Sequence, residues 1–360
     1  MPEPGAQGGP TACEPPFVAE LRRLGHEVEE EVYAYAKANV GLASRAQRVL
    51  HTASRFKERL SSGKFDLVHL NTAFDLKALL RDAVIVPRLN SEGAKVFLKF
   101  HGSDARLLAT KNPALAALRL RLLTHADGIG VLSSAERDNF LRVGVAEEKV
   151  FLVKNVVEEK LHQPDTEFRR QWDLPEDRPL LLFIGRFIPA KGLVDVIRAC
   201  ALLRDAEQEF LLLCVGDGPA RPEAEKTAVE LELQDHVRFF GYLPEEQTAA
   251  FYTNATALVF PTYHEEGLPM AIFNAAAAGL PILTTRIRGA ADYLREPENC
   301  LWVEPRRPDL LAARIREVLA NPELMATMNA NNRQLAANFS PAVVAQDYLK
   351  VYDSLLRYQK

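Results

Sequence analysis

The second half of the chain repeats one pattern: a short, wholly apolar run, a helical stretch, then another apolar run. The runs fall at 180–184, 210–215, 237–240, 257–260, 281–284 and 301–303. They are too short for helices, and they lack the polar alternation of a half-solvated strand. Helical patterns at 192–204, 219–233, 244–253 and 269–278 separate them. Strands that are apolar on both faces need cover on both faces, and crossover helices provide it. This half is therefore expected to be a parallel sheet buried between helices. Two further helices are expected near 309–320 and 322–338. Ser340 followed by Pro341 then opens a last one.

The first half alternates in the same way, more loosely. Strands are expected at 66–70, 95–100, 128–132 and 150–153, and helices at 17–24, 43–60, 76–85 and 114–124. A polar, proline-bearing linker occupies 155–178. The expected organisation is an α/β chain with two Rossmann-like domains, residues 1–160 and 161–339. A closing helix, 340–360, packs back on the first domain. An α/β domain should open with a buried strand, yet the chain opens on a Gly/Pro-rich stretch. The expectation is a start that falls after the first strand. No internal repeat is visible.

Composition narrows the function classes. A length of 360 residues suits two domains, and 48% hydrophobic residues allow each its own core. A net charge of −4 gives no ground for a nucleic-acid partner. The four cysteines, at 13, 200, 214 and 300, form no C-x-x-C pair and have no histidine cluster beside them. That argues against zinc and redox roles. Cys214, in an apolar run, is expected to be buried, and a reducing cytoplasm fits. The opening residues lack the apolar core of a signal peptide. The longest apolar stretch, 269–285, is broken by Asn274, Gly279 and Pro281, so it reads as helix, turn and strand rather than a membrane span.

Chemistry is expected where strands end, because ligands of parallel sheets sit beyond the carboxyl ends. The run Gly185-Arg-Phe-Ile-Pro-Ala-Lys-Gly192 follows a strand directly. It places Arg186 and Lys191 on one loop, a planar fork and a mobile point charge that suit a diphosphate. It is not a Walker loop, since no Gly-Lys-Ser/Thr closes it. The run from His264 to Gly279 follows another strand and starts a helix near Pro269. Its Glu266 could accept from sugar hydroxyls. Asn274 lies eight residues on, about 12 Å along a helix, roughly the span from sugar to ribose in a nucleotide sugar. An Asn on so apolar a helix is expected to be buried and to need partners. Three weaker signals follow strands too: Gly216 in Val-Gly-Asp-Gly-Pro, Tyr242 and Leu243 in Phe-Phe-Gly-Tyr-Leu-Pro, and His101 in Lys-Phe-His-Gly-Ser-Asp. The Gly8-Gly9 pair in the opening loop would allow close backbone approach to a ligand. Each of these has a plain structural reading: a tight turn, a helix cap, a flexible terminus.

Taken in order, these motifs resemble the retaining family-four glycosyltransferases of GT-B fold, over nearly the whole chain. The resemblance implies two Rossmann-like domains with parallel sheets facing across a cleft. It implies that Arg186 and Lys191 bind the donor diphosphate and stabilise the charge on the leaving nucleotide. Glu266 would contact the donor sugar, and Gly267, Leu268 and Pro269 would line the same pocket. His101 would lie beside the reacting sugar and the acceptor. The Gly8-Gly9 loop would approach the donor phosphates or the acceptor. Two positions depart from the pattern. Asn274 stands where the family usually has a ribose-gripping Glu, and Val156 where a Gly usually follows the linker Asn155. A neutral amide has one acceptor oxygen where a carboxylate has two, so weaker donor binding is expected.

The resulting expectation is an enzyme that moves a sugar from a nucleoside diphosphate to a hydroxyl acceptor in glycoconjugate or polysaccharide synthesis. The acceptor would be a glycan, a lipid-linked sugar or a small molecule. No metal or other cofactor is called for, because no Asp/Glu cluster demands one. The alternative is a degenerate, non-catalytic protein that holds a nucleotide sugar or glycan. A dehydrogenase is disfavoured by the lack of G-x-G-x-x-G with its downstream acid. Arg45, Arg48, Arg55 and Arg59 line one side of helix 43–60. They could meet anionic lipid at the inner face of a membrane, or simply be solvated.

Overall fold

The computed structural model describes residues 9–33, 41–90, 93–158 and 165–357. The chain divides into two compact units. The first comprises Met1–Val156, Glu265–Leu268 and Pro341–Lys360, and the second Val157–His264 and Pro269–Ser340.

The first unit holds a four-stranded parallel sheet in the order β1-β2-β3-β4: Leu67–Phe74, Lys95–Ser103, Gly128–Val131 and Val150–Leu152. Its centre is β2, where Val96, Phe97, Leu98 and Phe100 are fully enclosed. Helices Leu42–Leu60, Leu76–Asn90 and Pro113–Thr124 accompany the sheet. Two helix starts are explicit in the sequence: the side chains of Asp104 and Asn112 accept from free amides of the first turns that follow them. The final helix, Pro341–Arg357, belongs to this unit. Its Tyr348 hydroxyl donates to the Lys154 carbonyl at 3.2 Å, and its Asp347 takes Lys154 Nζ at 3.1 Å.

Several elements run further than the sequence suggests: β1 reaches Phe74, the helix from Leu76 reaches Asn90, and the first helix and β2 are longer too. The first helix covers Gly9–Arg23, although Pro15 and Pro16 lie inside it. Prolines normally stop a helix. Here Cys13, Glu14, Phe17, Val18 and Leu21 all turn inward, and their burial outweighs local propensity. Gly9 is therefore the first residue of a helix and not part of a loop, while Gly8 lies outside the described residues. Likewise β2 continues through His101 to Ser103, held by pairing of Ser103 with Phe74. His101 thus lies inside the strand and not just beyond it, where the register shifts between the Phe100–Thr72 and Ser103–Phe74 pairs. Among the described residues β1 forms the edge of the sheet. Beside that edge lies a cavity of about 550 Å³, lined by Phe17, Leu21, Tyr33, Leu67, His69 and Leu356 among others.

The second unit holds a six-stranded parallel sheet in the order β10-β9-β8-β5-β6-β7. The strands are β5 Leu180–Ile184, β6 Leu211–Val215, β7 Val237–Gly241, β8 Ala257–Phe260, β9 Ile282–Thr284 and β10 Cys300–Trp302. β5, β6, β8 and β9 are buried at every residue, as strands covered on both faces must be. The chain winds outward from β5 to β7 on one side, then returns to place β8 on the other side of β5. That reversal is a topological switch point, and the crevice beyond the ends of β5 and β8 is where such sheets receive ligands.

All four cysteines are free and buried. Among the described residues, no helix is long and apolar enough to cross a membrane.

Candidate functional site

The loop after β5 is built by close backbone approach. Gly185 donates to the Val215 carbonyl at 3.0 Å and Gly216 to the Gly241 carbonyl at 2.8 Å, so the ends of β5, β6 and β7 are tied in series. Gly216 sits at φ +135°, and a Cβ there would lie 1.9 Å from the Gly185 carbonyl oxygen. Only glycine fits. The loop then crosses to β8. Tyr263 donates its amide to the Ala190 carbonyl at 2.8 Å and its hydroxyl to the Pro189 carbonyl at 2.9 Å. The cation-bearing loop is thus stitched across the switch point by the chain that follows β8.

The two cations of this loop differ in setting. Arg186 is exposed. Lys191 is 7% exposed, its Nζ 5.1 Å from the centre of the Phe260 ring. A Cβ on Gly185 would stand 3.5 Å from that Nζ, so the ammonium rests against the bare end of β5. The structure thus brings Gly185, Lys191 and Gly216 together. Tyr242, 54% exposed, and Leu243 follow Gly241 at the end of β7. Pro269 precedes the helix Met270–Ala278, which carries Asn274. Asn274 is only partly buried, contrary to the reading of an enclosed amide. Its side chain bonds the hydroxyl of Tyr252, a buried tyrosine whose pKa burial raises and this bond partly restrains. Tyr252 is a neighbour the sequence did not reveal.

Glu265–Leu268 belong to the first unit. Gly267 is pinned there: a Cβ would meet Glu136 Oε2 at 2.6 Å and Leu132 Cβ at 2.8 Å. Glu136 is itself fully buried, and takes the Ser103 hydroxyl at 2.8 Å and that of Ser133 at 3.2 Å. Leu268 is buried and Glu266 half-buried. A Cβ on Gly102, beside His101, would come within 3.9 Å of the Glu265 carbonyl oxygen.

Beneath His101 lies a polar cluster that sequence reasoning missed. Lys99 Nζ donates to Glu14 Oε1 at 2.6 Å, and both side chains are almost wholly enclosed. Asn71 Nδ2 donates to Glu14 Oε2 at 2.9 Å, and Asn71 Oδ1 lies 2.8 Å from His101 Nε2. Burial alone would raise the Glu14 carboxyl, but the Lys99 ammonium, with His101 and His69, holds it at about 2. Lys99 is held protonated in return, its pKa raised by Glu14 against the pull of burial. Burial, reinforced by Lys99, pushes His101 down to about 3, so it is neutral at physiological pH. Lys99 was visible in the sequence as a cation enclosed between apolar residues of a strand. Glu14, on a helix interrupted by prolines, was not.

Cys13, Glu14 and His101 bring three potential ligand atoms within 4.8 Å of one another. They do not suit a metal ion. The Lys99 ammonium already occupies the carboxylate, and burial raises the Cys13 thiol far from ionisation. The basic side of helix Leu42–Leu60 is partly neutralised as well. Arg55 pairs with Glu31 at 2.9 Å and Arg59 with Glu29 at 2.6 Å. A cavity of about 710 Å³ in the second unit, flanked by Thr285, Trp302 and Arg314, contains none of the motif residues.

Comparison with known proteins agrees with this architecture. The profile described as Glycosyltransferase Family 4 matches residues 16–161, and that described as Glycosyl transferases group 1 matches 164–335. A 2-deoxystreptamine glucosyltransferase of Streptomyces kanamyceticus is 28% identical over 253 residues, 68% of this chain and 65% of that protein. An uncharacterised glycosyltransferase of Methanocaldococcus jannaschii is 26% identical over 302 residues, 83% of this chain and 78% of its own length. In structure, Anabaena HepE, solved in complex with UDP and glucose, superposes with a TM-score of 0.77 over 98% of both chains at 18% identity. That likeness establishes the fold: α/β, with two Rossmann-like parallel sheets of the GT-B kind. With adjoining profiles that together run from residue 16 to residue 335, the chain belongs to the family 4, group 1 glycosyltransferases.

Proposed function

We propose that the protein transfers a sugar from a nucleoside diphosphate sugar to an acceptor hydroxyl, with retention at the anomeric carbon and without a metal ion. The observation that carries this reading is the loop after β5. Lys191 holds its ammonium against the bare strand end at Gly185, and Arg186 stands exposed on the same loop. Two positive charges on one loop at a switch point suit a diphosphate whose charge grows as it leaves.

In this reading the bond from the anomeric carbon to the phosphate oxygen breaks with oxocarbenium character. The acceptor oxygen attacks on the same face, and its proton passes to the departing phosphate oxygen, so no covalent nucleophile is needed. Arg186 and Lys191 stabilise that leaving group. Glu266 accepts from donor-sugar hydroxyls, with the backbone of Gly267, Leu268 and Pro269 beside it. Asn274 reaches the ribose, and Gly185, Gly216, Tyr242 and Leu243 border the nucleotide. His101 faces the reacting sugar. Gly9, the first residue of the opening helix, would offer backbone to the donor phosphates or the acceptor. HepE, with its UDP and glucose, makes a uridine nucleotide the first donor to try. The acceptor is a glycan, lipid-linked sugar or small molecule of a glycoconjugate or polysaccharide route.

The test is chromatographic detection of released nucleoside diphosphate from UDP-, GDP- and ADP-sugars, with chelator present. Turnover of one donor that falls at least a hundredfold in Lys191→Ala is expected, in line with the loss of one charge-stabilising group (about 10²–10³). Equal turnover in that variant would remove Lys191 from the mechanism. Donor binding with no turnover under any acceptor would favour a protein that only holds nucleotide sugars.

A further inference from the structure

The cluster under His101 determines more than its charge. Ionised Glu14 can only accept hydrogen bonds. It takes Lys99 Nζ on Oε1, with the Cys13 thiol 3.5 Å from the same atom, and Asn71 on Oε2. The Asn71 amide is therefore oriented with its NH₂ toward the carboxylate. Its carbonyl oxygen then faces His101 Nε2 at 2.8 Å. A carbonyl oxygen also only accepts, so that ring nitrogen must carry the hydrogen.

We propose that Glu14 and Asn71 are positioning residues that fix His101 as the Nε2–H tautomer, so that Nδ1 presents a lone pair to a sugar hydroxyl. Flipping the amide would set its oxygen against the carboxylate. It would forfeit a hydrogen bond to a charged group, worth about 1.5–3 kcal/mol, or roughly a ten- to hundredfold preference. Lys99 contributes by keeping Glu14 ionised, and burial by keeping the imidazole neutral. Among the described residues the polar contacts of His101 are both made by Nε2, the second with Glu14 Oε1 at 3.6 Å, so the acceptor face offered to a ligand is that of Nδ1. A donor-type hydroxyl, rather than a carbonyl or phosphate oxygen, is the chemistry that this nitrogen recognises. The assignment of that hydroxyl to a donor or acceptor sugar rests on the proposed transferase reading; the tautomer itself does not.

The experiment is long-range ¹H–¹⁵N correlation on histidine-labelled protein at pH 7.5, with His101 assigned by its loss in His101→Gln. The expected wild-type spectrum shows a protonated Nε2 and an unprotonated Nδ1. Asn71→Ala should weaken the preference and bring in exchange between tautomers, with part of it retained because the Glu14 carboxylate itself lies 3.6 Å from Nε2. The charge-neutral double variant Glu14→Gln/Lys99→Met, which leaves no buried ion unpaired, should do the same. With a donor that is turned over, Asn71→Ala should lower kcat about tenfold, the worth of one neutral hydrogen bond, while the Kd for the free nucleoside diphosphate stays the same. A wild-type Nδ1–H tautomer, an imidazolium, or a preference untouched in both variants overturns the proposal. Absence of turnover with every donor would count against the transferase reading and leave the spectroscopic test intact.

Discussion

Lowering the pH from 7.5 to 5.5 should cost the first unit stability through two histidines. His101 and His69 are both pushed down to about 3: His101 by burial and then Lys99, His69 by burial with Lys99 adding to it against Glu14. His69 bonds Tyr352 through Nδ1 at 2.6 Å, and its Nε2 is enclosed with no partner. Neither ring takes up a proton in the folded state at pH 5.5, whereas in the unfolded chain each titrates near 6.5. The unfolded state then binds more protons, so stability falls as pH drops below 6.5 and goes on falling toward 3. For one histidine the loss is 0.59 × ln[(1 + 10)/(1 + 0.1)], about 1.4 kcal/mol, and for two about 2.7 kcal/mol. That is a large part of a typical folding free energy of about 5–15 kcal/mol. Glu14, held at about 2, adds a further loss only as pH falls from its ordinary value near 4.5 toward 2.

The assay is urea unfolding followed by far-ultraviolet circular dichroism. Both tryptophans, Trp172 and Trp302, lie in the second unit, so their fluorescence is blind to the first. The control is His69→Phe/His101→Gln, which cannot titrate at these positions. The difference between wild type and control should grow by about 2.7 kcal/mol from pH 7.5 to 5.5. A difference that stays within about 0.5 kcal/mol, well under the effect of one histidine, would refute the claim that both rings are held neutral.

Three further outcomes follow from packing and charge. Gly216→Ala forces a methyl group to within 1.9 Å of a backbone oxygen at φ +135°. It should destabilise the second unit by about 3 kcal/mol or more, read by tryptophan fluorescence in urea, and weaken nucleotide binding with it. Lys99→Met leaves Glu14 as a buried unpaired charge and should cost about 3–5 kcal/mol, whereas Glu14→Gln/Lys99→Met should recover most of that; equal losses in both would mean the pair is not coupled. Asn332 is fully buried, bonding the Leu280 and Asn299 carbonyls at 2.6 and 2.9 Å and receiving Asn299 Nδ2 at 3.0 Å. Asn332→Ala should lower the second unit's stability by about 3 kcal/mol through the polar groups it strands, and a thermal melt shifted by under a degree would contradict this.

The second sheet was legible because its strands are wholly apolar and its helices are marked by turns. Runs of that kind admit one architecture, and all six expected strands lie within a residue or so of those found. The first unit was harder to read where burial overrides local preference. Two prolines concealed the first half of the helix Gly9–Arg23, of which the stretch from Phe17 was expected, and polar His101, Gly102 and Ser103 concealed the end of β2. Arg186, Gly216 and Tyr242 follow the ends of β5, β6 and β7, where the topology puts them, but the partners of the motif residues did not announce themselves. Tyr252 beside Asn274, Glu136 behind Gly267, and Glu14 under His101 are each distant in sequence from the residue they support. Such contacts are made by the fold and leave no spacing to detect. The settings of the two loop cations could not be foreseen either, since only the course of the chain past Phe260 encloses Lys191 and leaves Arg186 exposed.

The central claim is that the loop after β5 holds the diphosphate of a nucleotide sugar. The most direct test is thermal stabilisation by UDP-, GDP- and ADP-sugars, with and without chelator, in wild type and Arg186→Ala. A ligand at a hundred times its Kd stabilises by about 2.7 kcal/mol whether or not an acceptor is present. The account predicts a clear shift with one nucleotide, unaffected by chelator and largely lost in the variant. An equal shift in Arg186→Ala, or no shift with any donor, would contradict it.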